Sequence, residues 1–290
     1  MFMQQISNGL AIGSIYALTA IGFSMVYGII NLINFAHGDI YMVGAFVTYT
    51  MLVFFKLPIF ISFILGVAIA ILSGVALSRF AYKPLFKAPR INLFLCAIGA
   101  SIFLENYAML VWGPETQSFP SLIQLKTYSI LGFTLSNMQI IIFITTVILM
   151  IALTYIVRHT KFGRAMRCTS QSMEAAKLMG INTNKIVYMT FALGSSLGAI
   201  AGILVAMYYR AAYPMMGFSA GMKAFVAAVI GGIGSIPGAV LGGFIMGITE
   251  SLGAAYISSG YKDAIAFIIL FIILLIKPSG LLGKSLAEKL

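Results

Sequence analysis

Apolar residues run through this chain in long blocks, separated by short polar breaks that hold most of the charge. A helix needs about 20 predominantly apolar residues to cross a hydrocarbon core about 30 Å thick. Stretches of that kind recur near 5–30, 39–55, 58–80, 91–112, 137–157, 186–209, 219–236, 237–258 and 262–276. The pattern predicts an all-α fold: a polytopic transmembrane helix bundle of eight or nine spans, with residues 1–290 as a single domain because little chain is left for anything outside the bilayer. The count is open in 219–258, where Gly231, Gly232, Gly234, Pro237, Gly238, Gly242 and Gly243 break what would otherwise be two helices. That break reads either as a tight turn between spans or as a re-entrant pair of half helices. Non-helical backbone at membrane depth survives only where protein or a cavity satisfies its polar groups, so this segment is expected to pack inside.

A second break, from Asn31 through Asn34, His37 and Gly38 to Asp39, interrupts the first two blocks. Gly38-x5-Gly44-Ala45 has the spacing of Gly232-x5-Gly238-Ala239. Matching interruptions in two halves point to an internal repeat with a route at its interface. Close helix packing on small residues accounts for the same glycines without a repeat.

Composition excludes a soluble domain. The chain of 290 residues is 61% hydrophobic and 9% charged, against a charged share of about 25% in soluble globular domains. No basic leader or small-residue cleavage site precedes the first block, so 5–30 is expected to be a retained helix. The net charge of +11 does not indicate nucleic acid, because the basic residues gather at the ends of apolar blocks. Arg79, Lys83, Lys87 and Arg90 form one cluster, Arg158, Lys161, Arg164, Arg167, Lys177 and Lys185 a second, and Lys277, Lys284 and Lys289 a third. The positive-inside rule assigns all three to the cytoplasm and leaves 113–136 outside. Cys96 lies in a span and Cys168 in a loop, so no disulfide framework is expected.

Between two membrane-grade blocks stands the polar run Ser172-Met-Glu-Ala-Ala-Lys-Leu-Met-Gly180. Ser172 is a helix cap, Glu174 suits the first turn and Gly180 the stop. A helix this short is unstable alone and must dock. Ala175 and Ala176 would let a partner's backbone approach; the other reading is a connector lying on its own protein.

Taken in order, Asn34-Phe-Ala-His-Gly-Asp39, Glu174-Ala-Ala-x3-Gly180, the glycine-rich run 231–243 and Lys277-Pro-Ser-Gly-Leu-Leu-Gly283 resemble the permease subunits of bacterial ABC importers for branched-chain amino acids. The likeness spans essentially the whole chain. One departure is Lys277, where the family commonly has Arg. The resemblance implies a multi-pass protein of the inner membrane with no ATPase activity and no cofactor. Its partners would be a second homologous permease subunit, two cytoplasmic ATPase subunits, a solute-binding protein outside the membrane, and membrane lipid. On this reading Arg164, Arg167, Glu174, Ala175, Ala176, Lys177 and Gly180 couple to the ATPase, while Asn34, His37, Gly38, Asp39, Gly44, Gly231, Gly232, Gly234 and Gly238 flank the translocation path.

Motifs for chemistry are lacking. The tail Gly280-Leu-Leu-Gly-Lys-Ser285 has Pro278 where a phosphate-binding loop needs its first glycine. His37 and His159 have no carboxylate or cysteine at ligand spacing, so no metal is expected. Glu105-Asn106 and Glu250 lie within apolar spans, where a charge costs at least ~2.5 kcal/mol, so each is expected to face the bundle interior, paired or protonated. They form a structural network or gate, or, in an ion-driven secondary transporter, Glu105 or Glu250 is the coupling carboxylate. His37 and Asp39 are expected near the membrane edge, as a satisfied turn or as a solute contact. A permease for urea or short amides fits the same motifs, and a passive channel finds no filter residues.

Overall fold

A computed structural model describes residues 2–30, 34–86, 88–121, 126–130 and 133–283. Asn31, Lys87, Lys284, Ser285 and Lys289 of the sequence reading lie outside them. The chain is a helix bundle: α1 (Phe2–Ile30), α2 (Ala36–Val53), α3 (Ile59–Ala76), α4 (Arg90–Trp112), α5 (Asn137–His159), α6 (Lys161–Gln171), α7 (Met173–Leu178), α8 (Thr183–Tyr209), α9 (Met216–Gly231), α10 (Ile236–Tyr256) and α11 (Lys262–Ile276). A π-helical stretch at Leu77–Tyr82 and a single tight turn at Lys83–Leu85 prolong α3.

Local sequence sets the element ends. Ser136 and Gln139 form a capping box at the start of α5, Ser136 Oγ accepting from Gln139 N at 3.2 Å and Gln139 Oε1 from Ser136 N at 3.0 Å. Asn182 caps α8, and Ser235 with Pro237 opens α10. At one end of the bundle two short antiparallel ladders tie loops together: β1 (Gln117–Ser118) with β4 (Ala211–Ala212), and β2 (Thr127–Ile130) with β3 (Phe133–Ser136). The Gln4 side chain clasps Thr134 on both its N–H and its carbonyl, fixing the start of α1 to this end. The opposite end carries exposed Arg79, Lys83, Arg158, Arg164, Arg167, Lys177, Lys185 and Lys277, and is called the basic end below.

α1 is the hub. Its apolar window is 89% buried, against 17% for α4 at the same mean hydropathy of 1.7, so of two equally apolar helices one is core and the other faces outward. Glycines decide which. Gly9 and Gly13 bring α1 onto the backbone of α10, where a Cβ would lie 2.6 Å from the Ile248 Cα or 3.0 Å from the Phe244 Cα. Where no hydrophobic effect drives helices together, such close approach supplies the packing. α3, α4, α5 and α11 expose large side chains such as Leu72, Leu110 and Phe271 outward.

Seven helices among the described residues are long and apolar enough to cross a membrane, rather than eight or nine. The shortfall is α2 and α9. α2 begins with His37 and Asp39, which lower its hydropathy, and α9 has only 16 residues. The break in 219–258 is a tight turn, Gly232 to Ser235, joining α9 to α10. Gly38 and Gly44 both lie within α2, whereas Gly232 and Gly238 straddle that turn. Equal spacing therefore falls on unlike elements.

Candidate functional site

The Asn34–Asp39 run enters α2 through a sleeve of glycines. Tyr82 Oη donates to Asn34 Oδ1 at 2.6 Å. Phe35 meets the edge of Phe94 at 5.6 Å and tilts on Phe225. The His37 ring stands edge-on to Phe23 and fills the space left open by Gly22 of α1 and by Gly194 and Gly198 of α8; a Cβ on Gly22 would lie 2.7 Å from His37 Nε2. Gly38 crosses Gly217 and Gly221 of α9, and Gly44 sits against Ala199 of α8.

None of this is open to solvent. His37 is 1% exposed and Asp39 not at all. The satisfied-turn reading fails as well, since His37 Nε2 and both Asp39 carboxylate oxygens are buried without a hydrogen-bond partner, as are Asn34 Nδ2, Ser78 Oγ, Ser195 Oγ and Glu105 Oε1. Asp39 lies within electrostatic reach of Ser101 and Glu105 on α4. Buried polar groups are nearly always paired, so a cluster of orphans marks a place where something else has to bind or move.

The second glycine run is saturated instead. Gly231 and Gly238 stack backbone on backbone across the turn, and Gly232 and Gly234 hold φ of +102° and +87°, values that a side chain disfavours. The freed groups find partners: Gly234 N–H donates to Ser24 Oγ at 2.7 Å. Leu281 N–H donates to Ile230 O at 2.9 Å, and Leu282 N–H to Gly231 O at 2.9 Å. The tail Lys277–Gly283 is thus a clamp on the open carbonyls of α9, with Gly280 and Gly283 packed on Gly232. The two glycine segments both lie against α1, His37 at Gly22 and Gly234 at Ser24 and Gly28.

At the basic end α6 and α7 form an arm outside the long helices. α7 ends as the sequence suggests: Ser172 Oγ accepts from Ala175 N at 3.2 Å, and Ile181 N to Ala176 O with Gly180 N to Lys177 O, both 3.0 Å, close a Schellman stop at Gly180, φ +78°. Glu174, Ala175 and Lys177 are exposed, and Leu178 and Met179 project at 89% and 81% exposure. Ala176 does not offer itself to a partner; it is buried on its own protein. Arg164 and Arg167 lie exposed on α6, with the Arg167 guanidinium on the Val157 carbonyl that ends α5.

Of the intramembrane polar residues, Asn106 contradicts the expectation of an inward face. It is exposed on α4, its amide satisfied by Ile102 O at 2.7 Å one turn back. Glu105 is half-buried toward Asp39. Glu250 is buried and fully engaged: Tyr16 Oη donates to Oε2 at 2.7 Å and Lys223 Nζ to Oε1 at 2.9 Å. Lys223 reaches Asp263 Oδ1 of α11 at 3.0 Å as well.

The model of the family described as branched-chain amino acid transport system / permease component matches residues 5–274. The chain belongs to this permease family. It is 42% identical to the high-affinity branched-chain amino acid transport system permease protein LivH of Escherichia coli strain K12, over 99% of this chain and 97% of that one. It is also 42% identical to the corresponding protein BraD of Pseudomonas aeruginosa, over 99% and 98%. A probable branched-chain amino acid transport permease protein LivH of Methanocaldococcus jannaschii is 29% identical over 93% of this chain and 89% of its own. The permease is a membrane-embedded transport subunit of an ABC importer and not itself an enzyme.

Sequence reasoning missed Tyr16, Lys223 and Asp263. Lys223 had a signal, being the lone charge inside α9, but its two partners are 27 and 40 residues away on other helices. The sequence names a costly charge without naming what neutralises it.

Proposed function

We propose that this permease conducts branched-chain amino acids across the inner membrane, paired with a second homologous permease and driven by two ATPases that dock at the basic end, with an external binding protein delivering the solute. The observation that carries this reading is the α6–α7 arm: a capped, basic-flanked helix with Leu178 and Met179 projecting outward, beyond anything the bundle itself needs. A transporter working alone has no use for it. The charge asymmetry gives nine crossings, α2 and α9 completing the seven long helices, with the N-terminus outside and the loops at 79–90 and 158–185 in the cytoplasm.

The route runs beside α1, flanked by the Asn34–Gly44 segment and by the turn Gly231–Gly238. Its supporting feature is the orphan polar cluster around Asp39, whose unpaired atoms a passing zwitterion satisfies transiently. An ion-coupled transporter would need a free carboxylate; Glu250, held by Lys223 and Tyr16, is not one, which leaves Asp39 and Glu105 as the carboxylates such coupling would use. The test is reconstitution with the ATPases and binding protein in liposomes. Leucine uptake that requires ATP and survives a protonophore is expected; uptake by this chain alone, abolished by the protonophore, would replace the reading with ion coupling.

A further inference from the structure

Between α9 and α11, on the side of α9 away from α2, lies a cavity of about 240 Å³. This is below the roughly 300–1,000 Å³ of drug-sized sites and on the scale of a single amino acid. Phe218, Met222, Val226, Met246, Ala266 and Phe267 form its apolar walls, and Lys223 and Asp263 are its charged edge. The level is set by Tyr16, halfway along α1, which Glu250 ties to Lys223.

We propose that this cavity is a second station, across α9 from the route flanked by the Asn34–Gly44 segment, for a zwitterionic α-amino acid with an aliphatic side chain, a proposal that rests on the permease reading above. The charges fit by placement and by freedom. One lysine serves two acids, so the triad carries one uncompensated negative charge if all three ionise. Glu250 is 6% exposed and doubly held; Asp263 is 70% exposed and held only through Lys223. A zwitterion entering between Lys223 and Asp263 gives its carboxylate to the lysine and its ammonium to Asp263. One ion pair becomes two, and no buried charge loses its partner, which is the condition for ionic groups to be tolerated in a low-dielectric interior. The aliphatic side chain then lies against Met222, Val226 and Phe267. A carboxylate without an amine would take Lys223 from Asp263 and leave that acid unmatched, whereas an amine without a carboxylate would match Asp263 but leave the lysine N–H that Asp263 gives up without an acceptor.

The groove opens outward, because α11 is little buried in the isolated chain. A charged solute cannot face hydrocarbon. The station therefore requires that the second permease covers this side of α9 and α11.

The test uses the assembled importer in liposomes, turning over ATP with its binding protein, and a leucine analogue bearing a side-chain diazirine. After irradiation, the cross-linked peptides should map to α9 and α11. Lys223→Met strips the buried Glu250 of its cation and weakens the fold, so Asp263→Asn is the decisive variant. It keeps the Lys223–Glu250 pair, and both labelling and leucine uptake should fall roughly tenfold, the value of one charge-assisted hydrogen bond, with Asp263→Glu restoring them. No labelling of α9 and α11, or unchanged labelling and uptake in Asp263→Asn, overturns the station while ATP-dependent uptake by the unmodified complex leaves the importer reading intact. Labelling of the groove by a diazirine phosphatidylethanolamine that excess leucine does not displace makes it a lipid site and overturns the proposal too.

Discussion

A methyl group at Gly38 has nowhere to go. Its Cβ would lie 2.8 Å from the Gly221 Cα and press on the Gly217 backbone, and backbone cannot rotate aside. Gly38→Ala should therefore cost about 1–3 kcal/mol of overpacking, read as a lower midpoint of thermal unfolding in detergent. Gly99, with an ordinary φ and no atom within 4 Å of a built Cβ, should accept alanine unchanged; equal effects at the two positions would remove the packing argument. Tyr82→Phe should cost a further ~1–3 kcal/mol by stranding the buried Asn34 carbonyl. The penalty should shrink in Asn34→Leu, where no acceptor is left to strand. A glycine's role is legible from sequence only as a possibility: the six glycines in 231–243 read as packing, turn or route until the partners are seen, and Gly232 proves to be pinned by the tail whose letters fail as a phosphate loop.

At the scale of the element, α7 and the tail clamp show opposite ends of legibility. Ser172, Glu174 and Gly180 write a helix start and stop within nine residues, so cap and Schellman closure follow locally. What the helix shows outward is set by how it seats on the rest of the chain, which hides Ala176 and leaves Leu178 and Met179 exposed. Leu178→Glu is expected to abolish substrate-stimulated ATP hydrolysis in the assembled complex while the permease still inserts and folds; normal stimulation would sink the docking role. This is a cleaner probe than a bulky residue at Gly180, whose φ of +78° strains any L side chain. The same logic applies to the turn before α10. Gly234 at φ +87° cannot separate packing from route, whereas Gly28, with 3.7 Å from its built Cβ to the Gly234 Cα, has room. Gly28→Leu should block uptake without lowering the yield of folded complex if the turn lines the path.

For the whole molecule, orientation is the property to test. The native thiol Cys168 is exposed on the α6 arm, so with Cys96 replaced by alanine it should react with an impermeant maleimide only after the membrane is opened. A cysteine at the exposed position of Glu115 should react in intact cells; the reverse pattern would invert the topology. The sequence by itself determined the class, the helix positions to within a few residues, and the family, because apolar block length, charge placement and capping residues are local quantities that the bilayer reads one segment at a time. Only the tertiary structure decided which blocks are core. α1 and α4 have the same mean hydropathy, and the difference is the row of glycines through which α1 meets α10, α8 and α2. It alone showed that His37 and Asp39 are buried with unpaired atoms rather than solvated at an edge. It also showed that Glu250 is neutralised by Lys223 across helices, since the cost of a buried charge is written in one residue but its compensation depends on which helices pack together.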